Sequence, residues 1–169
     1  GLINEACFGE TLGVAEVKEA AEYVVNREVR QVLEEIAQDE TRHAALAWRS
    51  LQWILDDTSE EERESVYDLV AELFIARAEK FFAGDQTSND ERDASPARAL
   101  GSSEREERAL QRELEMYGVL SREIRKETYI RTFTEVMVPC LEGLLGVERV
   151  APLKTFSIRL SASPYAHSA

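Results

Sequence analysis

The stretch that decides the reading is IAQDETRHAALAWR, residues 36–49. Ile36, Ala44, Ala47 and Leu51 fall at helical spacing on one expected apolar stripe, and Glu40 and His43 interrupt that stripe with groups that prefer water. Three positions apart on an α-helix, Glu40 and His43 share a face about one turn apart, near enough to hold a common metal ion.

Working outward, Ile3, Cys7, Val14, Val17, Ala21 and Val24 recur at three- and four-residue intervals, which predicts an amphipathic helix from Ile3 to about Val25 with Glu10 on its apolar stripe. Asn26 is the expected N-cap of a second helix running to about Leu55, with Glu28 at its positive dipole end. A tight turn between the two gives an antiparallel hairpin, and Glu10, thirty positions before Glu40, then comes to the level of Glu40 and His43. A carboxylate placed to bridge, plus a carboxylate and an imidazole from the neighbouring helix, is half of the ligand set that four-helix bundles use for two iron or manganese ions. The competing reading is a buried histidine satisfied by Glu40 or by a backbone carbonyl, with Glu10 turned outward or paired with Arg42. Against it stands the several kcal/mol that burying unpaired ions costs.

The chain of 169 residues is 44% apolar and 31% charged, enough for one globular domain. Four prolines, eight glycines and an abundance of Ala, Glu, Leu, Arg and Val predict an all-α fold. With 33 acidic against 20 basic residues the net charge is -13, so the field repels phosphate backbones and anionic membrane surfaces, and no nucleic-acid partner is expected. Cys7 and Cys140 lie in apolar helical segments without CxxC spacing and are expected as buried thiols, which favours a reducing intracellular compartment or organelle. No apolar run approaches the roughly 20 residues of a membrane span, and the start lacks the order of a signal peptide. A soluble protein without a transmembrane segment is expected. The chain opens GLINEACFGE, helix-like from the outset and without an initiator Met, which reads as the loss of a preceding segment.

The expected organisation is a helix hairpin plus third helix over 1–83, a mobile polar loop over 84–103, further helices over 104–146, and a tail over 147–169. Ser59 and Glu62 form the expected capping box of the third helix, whose buried face is Val66, Leu69, Val70, Leu73, Phe74 and Ala78, and which stops near Gly84. A short helix capped by Ser102 or Ser103 ends at Gly118. Ser121 opens another to about Leu145, with Ile124, Thr128, Ile130, Phe133, Val136 and Leu141 inward, a kink at Pro139, and Gly146 just past its end. Asp39 is expected in solvent or paired with Arg42. Trp48, Trp53 and Tyr23 are expected in core packing rather than in a radical relay, and Cys7 as a small buried hydrophobe rather than a ligand. The runs SEEERE and SEREERALQRELE read as solvated faces.

CFGETLGVAE (7–16) followed by EEIAQDETRHAALAWRSLQW (34–53) resembles the second helix pair of ferritin-like, di-iron carboxylate proteins, whose third helix gives Glu and whose fourth gives Glu-x-x-His. The resemblance covers about residues 3 to 55, a third of the chain. It implies a ferritin-like helical bundle in which Glu10 is the bridging carboxylate, Glu40 the second carboxylate and His43 the imidazole ligand. YGVLSREIRKETYIRTFTEVMVPCLEGLL (117–145) is similar to C-terminal segments of uncharacterised bacterial ferritin-like proteins.

A second Glu-x-x-His is absent, the other histidine being His167, so one chain carries half the ligand set of a two-ion site. Two arrangements complete it: an N-terminal helix pair missing from this chain, or a two-fold homodimer in which each copy donates Glu10, Glu40 and His43. A complete site implies iron or manganese and an oxidoreductase acting with dioxygen or peroxide, with no general base or nucleophile identifiable beyond the ligands. The alternative is a non-catalytic accessory or structural subunit of a larger assembly, built on a degenerate, metal-free site.

Overall fold

A computed structural model describes residues 1–87 and 104–162, and every regular element among them is helical. The fold is all-α. A π-helical stretch, Leu2–Glu10, runs without a break into α1 (Thr11–Tyr23). Then follow α2 (Arg27–Asp57), α3 (Glu60–Thr87), α4 (Glu104–Glu115), α5 (Arg122–Thr132), a π-helical turn (Phe133–Met137), α6 (Val138–Leu145) and α7 (Val147–Ser161).

The turn between α1 and α2 forms as its sequence dictates. Asn26 leaves the helical region of backbone space, and its side-chain oxygen accepts from the Glu28 and Val29 amides at 2.8 and 3.1 Å. α2 therefore returns antiparallel along α1. Gly118, after α4, closes against the same tip with φ +88°. A Cβ there would sit 3.1 Å from Val24 and 3.3 Å from Leu33, so both conformation and space demand glycine.

The core gathers where the π stretch, α2, α3 and the C-terminal helices meet. Cys7, Phe8 and Leu12 pack with Leu51 and Leu55 from α2, Phe74 and Phe82 from α3, and Phe133, Leu141 and Leu153 from the C-terminal half. Phe8, Phe74 and Phe133 are fully buried, each stabilising by about 1.5–3 kcal/mol through transfer from water alone. Phe133 meets Phe8 at 6.2 Å and Phe82 at 5.4 Å, so rings from three distant segments interlock.

Several expectations are corrected by this packing. Residues 147–161, read as a tail, are helical and bury Val150, Leu153 and Ser157; Arg149 holds the helix to Asp68 at 2.8 Å and to Glu64, and Lys154 holds it to Glu142 at 2.8 Å. The expected seam of α3 is displaced. Leu69 and Leu73 are exposed, while Val70, Ala71, Phe74, Ala78 and Phe82 are buried, because apolar and charged residues are mixed around α3 and periodicity does not choose a face. The helix also continues past Gly84 to Thr87. Ser59 caps only in part: its hydroxyl donates to the Glu62 carboxylate at 2.7 Å. Val136, Trp53 and Cys140 are exposed rather than buried, and both cysteines are free thiols.

Ser121 caps α5 by accepting from the Ile124 amide at 3.2 Å, and Gly146, at φ +89°, separates α6 from α7 as its position predicted. In place of a simple kink, the backbone widens into the π turn just before Pro139. Proline offers no N–H to the carbonyl of residue 135 and its ring crowds that oxygen, so the hydrogen-bond ladder shifts by one residue there. Residues 88–103 of the loop expected over 84–103, the caps Ser102 and Ser103, and His167 lie outside the described residues.

Candidate metal centre

Glu10 ends the π stretch, and Glu40 and His43 occupy the middle of α2. Thr11, directly after Glu10, fixes the register between them. Its hydroxyl donates to the Cys7 carbonyl at 2.6 Å and accepts from the Trp48 indole N–H at 3.0 Å, while Trp48 stacks on Phe74 with ring centroids 5.7 Å apart. One buried threonine thus ties the π segment to α2 beside the cluster. π segments inside helices recur at functional sites, because the added residue re-aims side chains without ending the helix.

The structure brings all three sequence-predicted residues together. One ligand atom from each of Glu10, Glu40 and His43 lies within 4.8 Å of the others. His43 Nδ1 is 3.4 Å from a Glu40 oxygen. Glu10 shares a hydrogen bond with Glu40, and that contact, partial burial and the Glu40 charge push its carboxyl above the usual carboxylate range, with His43 acting in the opposite direction. A proton or a cation between the two carboxylates would relieve that contact. Two acidic oxygens and an imidazole nitrogen converging on one point form a donor set that suits a divalent first-row ion, so these residues fit the iron or manganese that the sequence implied.

The cluster does not face the chain's own core. The side chain of His43 is 54% exposed and that of Glu40 35%, and Ile36, expected on the buried stripe with them, is 42% exposed. The buried seam of α2 is Ala37, Ala44, Ala47, Leu51 and Leu55, rotated from the line of Ile36, Glu40 and His43 by most of a right angle. The two polar groups interrupt a second, outward stripe. Of the competing reading, the burial of His43 is not observed, whereas its contact with Glu40 is.

Asp39 is the neighbour that sequence reasoning undervalued. It pairs with Arg42 at 3.4 Å as expected, yet its other oxygen lies 3.9 Å from His43 Nε2, so a carboxylate flanks each ring nitrogen. The i,i+4 spacing of Asp39 and His43 was the available signal. Thr11 had none, because its role depends on the antiparallel register. A shallow groove of about 430 Å³ lies between Lys18 and α2, lined also by Glu34, Ala37, Gln38, Thr41 and Arg42, and none of the three cluster residues lines it.

Comparison with family models, with curated proteins and with solved structures finds no significant match to this chain.

Proposed function

We propose that α1 and α2 are half of a ferritin-like bundle and that Glu10, Glu40 and His43 are half of the ligand set for a pair of iron or manganese ions. The observation that carries this is the convergence of two carboxylates and an imidazole within 4.8 Å on a face turned outward. Glu40 holds the Glu10 carboxyl above the usual carboxylate range, and a cation between the two would relieve that contact. Glu10 from the neighbouring helix and Glu40 and His43 from a single turn of α2 would hold the metal, with Asp39 close beside the imidazole.

When bound, such a pair supplies one-electron redox chemistry towards dioxygen or peroxide. The remaining ligands come from a helix pair facing this one. The chain's own contribution is to hold three donors on rigid helices, with the Thr11–Trp48 bond setting their relative height.

A second reading is an accessory subunit that keeps the shape of the site without metal, favoured by the solvent exposure of His43. Elemental analysis of natively purified protein decides between them. The enzyme reading expects about two iron or manganese ions per complete bundle, lost in Glu40→Ala and His43→Ala without unfolding. Metal-free protein whose thermal stability ignores chelators sustains the accessory reading and overturns the first.

A further inference from the structure

The outward stripe of α2 is not confined to the cluster. Val29, Val32 and Ile36 precede Glu40 and His43 along it and Ile54 follows, with exposures between 36% and 54%. An apolar line of this length on a helix is a packing seam. Its centre is the candidate metal centre, so whatever covers the seam also faces the ligands.

The flank of the seam specifies the occupant. Glu28, Glu35, Arg42 and Arg49 recur at every seventh residue, all exposed, drifting only about 20° per heptad around the helix. The first two are acidic and the last two basic, and the sign changes within one turn of Glu40 and His43. A helix with this order along one flank pairs with an antiparallel copy of itself, because each acidic end then lies against a basic end. Against a parallel copy, like charges would meet at every step.

We propose that the seam is covered by a second copy of this chain, α2 packing antiparallel on α2 about a two-fold axis close to Glu40 and His43, so that each copy gives the other the half of the metal centre it lacks. The proposal rests on the reading of Glu10, Glu40 and His43 as half a site, and it selects the second copy over a separate helix pair as the source of the other half. The chain's net charge of -13 opposes self-association in general, which makes the acid-then-base flank the feature that favours pairing on this face.

Sedimentation velocity on the full chain in chelator, and Mn²⁺ titration by calorimetry, test it together. Wild type sediments as a dimer. Glu28→Arg/Glu35→Arg gives an all-basic flank and Arg42→Glu/Arg49→Glu an all-acidic one; each alone self-associates more weakly by about a hundredfold or more, and an equimolar mixture of the two restores the dimer. Circular dichroism verifies that both variants are helical. A wild-type chain that remains monomeric, or a mixture that fails to associate while wild type does, overturns the proposal. A dimer that takes up no Mn²⁺ leaves the two-fold contact standing and removes the metal reading, whereas a monomer that binds Mn²⁺ does the reverse.

Discussion

Trp48 donates its indole N–H to the Thr11 hydroxyl at 3.0 Å, and this bond joins α2 to the residue that follows Glu10. Thr11→Val keeps the shape and removes the acceptor, leaving Trp48 with an unpaired donor in a half-buried setting. A loss of about 1–3 kcal/mol is expected, read from the urea midpoint, together with weaker Mn²⁺ binding because Glu10 is no longer held at the height of Glu40.

His43 is half exposed, so removing it touches little packing. His43→Ala is expected to change stability by no more than about 0.5 kcal/mol while abolishing Mn²⁺ binding measured by calorimetry. Unfolding comparable to a core truncation would show that the imidazole has a structural task instead.

α7 is an integral part of the core. Leu153 is fully buried against it, and Leu153→Ala is expected to lose about 2–5 kcal/mol in chemical denaturation. A change near zero would mean that Val147–Ser161 does not dock.

Gly118 holds φ +88° with Val24 and Leu33 against the place a Cβ would take. Gly118→Ala is expected to destabilise by more than about 1 kcal/mol, since strain and crowding act together, and the thermal midpoint of the variant reports it.

Burial pushes the Cys7 thiol up to about 11 from its ordinary value of 9.0, whereas Cys140 lies at the surface. At pH 8 a shift of this size leaves about a hundredfold less thiolate than an ordinary cysteine carries. A thiol reagent is expected to titrate Cys140 quickly and Cys7 only after denaturation. The sign of the pH effect follows: with its folded value raised, Cys7 contributes stability that is complete below pH 9.0 and is lost as pH rises through about 11. Cys7→Ala should flatten the alkaline limb of the stability profile.

The helices, the Asn26, Ser121 and Gly146 boundaries, and the meeting of Glu10 with Glu40 and His43 were legible because each depends on local spacing or on the simplest antiparallel return. Facing was not. Ile36, Leu69, Leu73 and Trp53 carry apolar side chains at positions that satisfy helical periodicity, and periodicity states that a face is apolar without stating what covers it. The helix over 147–161 was missed for a related reason. Pro152, inside the helix, and the charged residues around Val150 and Leu153 dilute the pattern. Thr11 and Trp48 meet through a register that only the folded hairpin sets.

The π-helical pitch of Leu2–Glu10 makes chain length there readable as angle. Delete one residue within it and an ordinary α-helix would close, swinging whatever precedes the deletion by about 100° relative to Glu10. A deletion at Gly9 would part Phe8, which fills the interior, from Glu10, which meets Glu40. A segment that resembles a plain spacer therefore tolerates substitution far better than it tolerates shortening.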